Sequence, residues 1–577
     1  MKHLRKIRGR GRRRGALLLI LVGALAPRVA RGDDLQNLGR DFWAWRARTQ
    51  PVSGDDITRI DRPAGWAPDW SRRSIEERRK SLAEFAGRWK GIDATGMPVA
   101  WQVDHRLLGS ALARVRWELE VLRSWDRNPR FYVDQTLGAY FESLLAPPPF
   151  SRARGEQIAR LLESIPATID AARVNLTAPI GPFARLAAEE LKGVRPRLTE
   201  SVAALKPLLP AEIARRVEAA LPRAITALES WASWLDAGWP LMPSNAAVGR
   251  DRYDYFLAEV ALLPFTMEDL LAAGRQEWAR AAALEAMETQ RNRALPALAL
   301  FPDEAAQIAR EEKDEASVRR FLEEKGILTV PADLRHYRNR PLPAYVAPLA
   351  FLGVADDLTS AVRLGEDAVS YIRPPSPSLP YFALSTARDP RPILVHEGIP
   401  GHYFQLVVSW KHEDPIRRHY YDSTANEGIG FYAEEMMLQA GYFDDSPRTR
   451  EILANFQRLR ALRVEADVKL ASGQFTIEQA AEYLEKRVPM DRETARQEAA
   501  FFASDPGQAI SYLVGKLQII RLLADARQQQ GDKFDLQAFH DFLWKNGNVP
   551  FALARWEYLG DREELGRVDA RRPKLKF

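Results

Sequence analysis

Two histidines and a glutamate stand together in His396-Glu397-Gly398-Ile399-Pro400-Gly401-His402, and an acidic segment, Asn426-Glu427 through Glu434-Glu435, follows. Imidazole nitrogens plus a carboxylate make up the ligand set of a catalytic zinc site, where three protein ligands leave a fourth position open. On a zinc-binding helix the two histidines usually stand four apart, differing by about 40° around the axis, so both meet one ion. His396 and His402 are six apart, about 240° on a regular helix, and would face away from each other. Pro400 and Gly401 lie between them; proline cannot continue the hydrogen-bond ladder and glycine accepts backbone geometry that other residues avoid. The pair can therefore share a metal only if the helix breaks at Pro400-Gly401, and spacing alone leaves a surface or core role open.

Glu427 lies 31 residues beyond His396, and Glu434 seven further on shares its helical face. A carboxylate two helices along is one way for a two-histidine site to gain its third ligand. Gly428 and Gly430 would let that helix approach the first closely. His412 and His419, seven apart on an expected helix, are alternative third ligands, whereas Glu435 reads as a solvated acid. Other chemistries lack their signatures: there is no GxxxxGK[ST] phosphate loop, no GxSxG nucleophile elbow and no GxGxxG loop.

The elements that must position these residues are mostly helices. Apolar residues recur at helical spacing over 152–175, 183–205, 210–235, 266–293, 303–325 and 448–471. Ser74-Ile75-Glu76-Glu77 and Thr476-Ile477-Glu478-Gln479 both read as capping boxes. Only Ile327–Pro331 and Pro380–Thr386 read as extended, being short, β-branched or aromatic, and bounded by breakers. The expected fold class is mainly α, a large multi-helical body with a small β-sheet beside the site. Trp43, Trp45, Trp66 and Trp70 read as packing anchors or a lid, and Lys516 as a residue that caps or solvates its helix.

Residues 1–32 read as a signal peptide: eight basic residues within 1–15, an apolar run from Ala16 to Ala26, then Ala30-Arg31-Gly32 before a mature start near Asp33. Whether the arginines denote general or twin-arginine export stays open. The segment holds ten basic and no acidic residues, so removing it takes the net charge from +6 to −4. A mildly acidic mature chain gives no reason to expect a nucleic-acid partner. The 577 residues contain no cysteine, which excludes disulfides, thiolate metal sites, cysteine nucleophiles and a lipid-bearing cysteine. A periplasmic or secreted protein without a stable membrane anchor is expected. It divides into an N-terminal helical region over 33–250 and a catalytic region over 251–577.

Several motifs in order resemble a widespread family of exported bacterial proteins carrying HE-x-x-P-G-H-H and placed with the zincin-like, gluzincin-related metallopeptidases. They are Arg252-Tyr253-Asp254-Tyr255, Thr266–Leu271, Pro380-Tyr381-Phe382, HEGIPGHYFQ, NEGIGFYAEE, Ala461-Leu462-Arg463, Asp467 and Asp505–Tyr512. The resemblance implies that His396, His402 and Glu427 bind Zn2+, with Glu397 as the general base of peptide hydrolysis. It further implies that Tyr512 stabilises the developing oxyanion with help from Gln508, that Glu434 orients a ligand histidine, and that the 380–386 strand aligns the peptide by edge pairing. Two departures stand out. Tyr403 replaces the second histidine of the HH pair, and Ala471 stands where a histidine usually follows the Asp467 position. The competing expectations are an inactive helical protein binding peptides or an envelope component, and a metal-dependent hydrolase of non-peptide amides or esters.

Overall fold

The computed structural model describes residues 18–53 and 60–573. Most of the expected signal segment, residues 1–17, lies outside the described residues, and the helix that follows is continuous from Leu18 to Thr49. No described helix is long and apolar enough to cross a membrane. In chain order the elements that matter for the site begin with α1 (Leu18–Thr49), α2 (Val99–Arg116) and α3 (Met267–Arg291). The strands β1 (Tyr337–Pro341), β2 (Asp356–Asp357) and β3 (Ala368–Ile372) come next. They are followed by α4 (Tyr381–Thr386), α5 (His402–Trp410), α6 (Ser423–Gln439), α7 (Pro447–Ala471), α8 (Gln508–Gln530) and α9 (Leu536–Lys545).

The fold is mainly α with one small sheet, as the spacing of apolar residues predicts. Helices occupy Arg152–Asn175, Ala211–Gly238 and Glu304–Glu324, together with α3 and α7. The expected 183–205 helix is two, Gly181–Leu191 and Val194–Leu205, because Gly193 adopts φ +73 between them. Thr476 and Gln479 form the expected capping box. At the first expected box the helix instead starts at Arg72, with Ser71 accepting the Ser74 N–H; Ser74 bonds back to the Asp69 carbonyl at 3.0 Å.

The sheet is not where β-branched and aromatic runs placed it. β3 pairs in parallel with β1 and antiparallel with β2, in the order β1-β3-β2. Ile327–Pro331 is irregular, and Pro380–Thr386 is a helix turn rather than a strand. There Asp491 accepts the free Tyr381 N–H at 3.0 Å, and Ser385 and Thr386 hydroxyls bond back to Tyr381 and Phe382 carbonyls at 3.1 Å. Tyr381 and Phe382 both pack against Phe456 of α7, so tertiary contacts override a weak local strand preference. A role for this segment in pairing with an extended peptide edge is thereby removed.

One core draws on residues between 35 and 119, between 262 and 368 and between 394 and 568, and a second collects residues of 131–235 and 345–352 with Trp70, Ile75 and Trp125. Gly249, with φ +92, precedes a short helix at Arg250. α6 and α8 approach backbone to backbone at a pair of glycines. A Cβ on Gly428 would lie 2.6 Å from the Gly515 Cα, and one on Gly515 would lie 2.1 Å from the Thr424 carbonyl oxygen. That glycine pair, not Gly428 alone, lets α8 lie against the helix bearing Glu427.

Candidate metal centre

The helix carrying His396 does break. Leu394–Gly398 is a π-helical turn, closed by the Ile399 N–H on the Leu394 carbonyl at 3.0 Å. Ile399 leaves it with φ −126 and ψ 124, the Ile399–Pro400 peptide is cis, and α5 starts at His402. Gly401 is required here, because a Cβ would lie 1.7 Å from the His396 carbonyl oxygen. The Trp544 indole of α9 donates to the Pro400 carbonyl at 2.6 Å and holds the turn from outside. The reversal brings the two imidazoles to a centroid distance of 4.8 Å at 81°.

His396, Glu397 and His402 each offer a ligand atom, all within 4.8 Å of one another. Glu427 of α6 enters the same space, with Oε2 3.5 Å from His396 Nε2 and 3.2 Å from His402 Nε2. Glu397 stands 3.9 Å from both Nε2 atoms. The histidine and Glu427 side chains are no more than 2% exposed, whereas Glu397 is 19% exposed. Close as they are, His402 Nε2 and Glu427 Oε2 have no hydrogen-bond partner among the described residues. Such unbonded buried groups cost free energy unless something else occupies their lone pairs. Burial and the Arg460 charge press the His396 pKa down, but Glu427, Glu434 and Glu397 outweigh them and raise it to about 9. Burial likewise opposes ionisation of Glu427, yet His402 and His396 hold it well below the usual carboxylate range.

A second layer orients this one. Glu434 Oε1 lies 2.7 Å from His396 Nδ1 and 3.0 Å from Arg460 of α7. Gly430 sits between the two histidines, where a Cβ would lie 2.9 Å from His402 Cε1 and 3.1 Å from His396 Cε1. From α8, Gln508 donates to Glu427 Oε1 at 3.3 Å. Tyr512, one turn later, stacks parallel to His396 with centroids 6.2 Å apart. The Arg463 guanidinium covers the other aromatic contact of Tyr512 at 4.5 Å and forms an ion pair with Glu498.

Asp467 sets the start of α8. It accepts the Gly507 N–H at 3.0 Å, the Ile510 N–H at 3.1 Å and the Tyr253 hydroxyl at 3.1 Å. Burial raises its pKa to about 7 against the pull of those donors. Arg460 was not among the residues singled out in the sequence, and its only signal there is a position three residues before Arg463. The two departures lie away from the cluster. Tyr403 packs on Tyr337 of β1, 6.2 Å between centroids, and the buried Ala471 accepts the Gly249 N–H through its carbonyl.

Other sequence expectations are corrected by packing. His412 accepts the Asp414 N–H, and His419 lies against Trp43, so neither joins the cluster. Lys516 is not solvated but buried, paired with Glu435 at 2.7 Å and placed over the Phe431 ring. Glu435 in turn is half-buried between Lys516 and Arg280 rather than a free surface acid. Of the four early tryptophans, Trp70 is buried against Phe131, and Trp43 and Trp45 border the main core.

The family model described as "Bacterial protein of unknown function (DUF885)" matches residues 54–348 and 359–557. Among solved structures, "a putative lipoprotein of unknown function" from Shewanella oneidensis is 18% identical, with a TM-score of 0.67 over 92% of this chain and 98% of that one. A "putative lipoprotein" from Colwellia psychrerythraea is 16% identical, with a TM-score of 0.69 over 95% and 99%. At such identities the likeness is one of fold. Among curated proteins, none matches.

Proposed function

The chain belongs to DUF885, a bacterial family of unknown function, and from that premise we propose that it is a zinc-dependent hydrolase acting on peptides. The observation that carries this reading is the convergence of His396, His402 and Glu427, with His402 Nε2 and Glu427 Oε2 buried and unbonded. Charge supports it. With both imidazoles neutral, the buried Glu427 and Glu434 against Arg460 leave net negative charge beside the two rings, which a divalent cation would offset. The HE-x-x-P-G-H-H likeness, with Tyr403 as its departure, supports reading the same residues as a zincin-like, gluzincin-related site.

His396, His402 and Glu427 would hold the ion, two imidazoles and a carboxylate being a usual set for catalytic zinc. Zinc, when bound, supplies Lewis acidity and makes water nucleophilic near neutral pH. Glu434 Oε1, 2.7 Å from His396 Nδ1, is placed to take that nitrogen's proton in a hydrogen bond, which would leave the Nε2 lone pair directed into the cluster. Gln508 steadies Glu427 from the far side. Glu397 is the one acidic member with solvent access, so it can take a proton from water and return it to the leaving nitrogen. The Tyr512 phenol is assigned to the substrate carbonyl oxygen as charge develops there. Export to the periplasm or beyond is part of the same proposal, supported by the basic and apolar start of the chain and the lipoprotein description of both structural neighbours.

Metal analysis of the natively purified protein tests the first half: about one zinc per chain is expected, and a metal-free native chain ends the reading. Glu397→Gln should keep the zinc and lose peptide hydrolysis by about 10²–10⁴-fold, the usual contribution of a general base. Turnover of small esters but of no member of a peptide library would reject the peptide substrate.

A further inference from the structure

A cavity of about 480 Å³ lies between the N-terminal helices and the segments around 410–421 and 501–505. That is within the range of about 300–1,000 Å³ found for small-ligand sites. Its lining includes Trp43, Trp117, Trp125 and Phe131, with Arg114 among them, and none of the metal-cluster side chains. We propose that this cavity seats the C-terminal end of a short peptide, its α-carboxylate on Arg114 and an apolar or aromatic side chain among the tryptophans. The proposal rests on the peptidase reading for the identity of its ligand.

The charges in the wall single out Arg114. Arg46 is committed to Glu118 through two bonds of 2.8 and 2.9 Å, and Arg130 to Glu190 and Asp134. Arg418 is turned to the backbone carbonyl of His412. Arg114 makes one long ion pair, 3.8 Å to Asp422, a carboxylate already engaged in capping α6 through the Ala425 N–H, and it also lies in the field of Asp505 and Glu118. Its guanidinium also lies over the Phe256 ring. Behind the wall, Arg62 and Arg78 donate to backbone carbonyls, of Gln50 and Asp69, rather than to carboxylates. Asp61, Glu118, Asp134 and Asp505 in the wall offset most of the charge of its arginines, so the anion's contact is the Arg114 guanidinium itself, which can bind a carboxylate through paired hydrogen bonds. Two more lining groups, Trp43 Nε1 and Ser504 Oγ, have no hydrogen-bond partner among the described residues. Indole faces suit a hydrophobic side chain beside that charge.

Position ties the cavity to the site. Ser504 and Asp505 in its wall open the turn that delivers Gln508 to Glu427, and Tyr421 in its wall adjoins the cap of α6. A chain end held there would lie against segments that lead, three and six residues further along the chain, to Gln508 and Glu427.

Binding should be measured on the full chain carrying Glu397→Gln, which prevents turnover, by tryptophan fluorescence and calorimetry. The probes are an N-acetylated pentapeptide ending in phenylalanine and its C-terminal amide. The acid is expected to bind at least 10-fold more tightly than the amide. Arg114→Met should abolish that preference and Arg114→Lys should keep part of it. Because Arg114→Met removes a buried charge and could disturb folding, Ala361→Trp, which fills the cavity without altering charge, is the second variant. It should abolish binding of both peptides. Equal affinity for acid and amide, no binding of either, or an unchanged preference in Arg114→Met overturns the proposal. Since the readout needs neither metal nor turnover, a zinc-free chain that still prefers the acid sinks only the metal reading. A zinc-bearing chain that does not discriminate sinks only this one.

Discussion

Glu434 and His396 form a contact whose consequence is confined to two side chains. Because Glu434 fixes which imidazole nitrogen carries the proton, Glu434→Gln should weaken zinc binding by about 10–100-fold, the usual effect of losing such a partner. Competition with a chromogenic chelator measures it, and unchanged affinity would remove Glu434 from the site. Tyr403→His is expected to leave zinc content unaltered, since residue 403 faces β1 and not the cluster. Metal analysis of that variant checks whether the departure from the HH pair matters. Glu434 was legible in the sequence from its seven-residue spacing to Glu427. Arg460 was not, because α7 carries five arginines and only packing picks out the one beside Glu434.

Elements decide whether those side chains meet. Gly430 sits in α6 where any Cβ would press on both imidazoles, so Gly430→Val should abolish zinc binding while far-UV circular dichroism stays helical. Retained stoichiometric zinc would contradict the observed approach of α6. At the start of α8, Asp467 offers a pH test. Its folded pKa is raised to about 7, above the ordinary value of 3.8, so the native state holds its proton more tightly than the unfolded chain. Its contribution to stability is full below about pH 4 and is lost as pH rises through 7. Asp467→Asn should therefore flatten the fall in melting temperature over that window, and an unchanged slope would argue against the titration. The helix break was legible from Pro400 and Gly401, whereas the helical Pro380–Thr386 was not. A six-residue run that opens on Tyr381 and Phe382 suits strand or helix, and Asp491, 110 residues away, supplies the N–H acceptor that tips it.

The molecule as a whole is tied together across its sequence by Arg417. It bonds Asp104 of α2 at 2.7 Å and Glu557 near the C-terminal end at 2.9 Å, with only 4% of its side chain exposed. Arg417→Met would leave Asp104 buried and unpaired, so stability should fall by about 3–5 kcal/mol. Removing the exposed Arg73–Glu77 pair should leave stability unchanged. Thermal melts of the two variants side by side check the contrast. The same closure explains why residues 35–119 enter the core that surrounds α5 and α6.

Helical periodicity, the capping box at Thr476 and the proline–glycine break in HEGIPGH are local properties, carried by residues within one or two turns of each other. The amino-acid sequence by itself determined them. It also determined that two histidines six apart need a reversal of the chain before they can act together. Tertiary structure alone decided which carboxylate faces both rings, where the small sheet forms, and which arginines are buried with the site. Those outcomes depend on contacts such as Gly428 on Gly515 and Trp544 on Pro400, between residues 87 and 144 apart in sequence. Spacing along the chain holds no record of such distances, and close packing does.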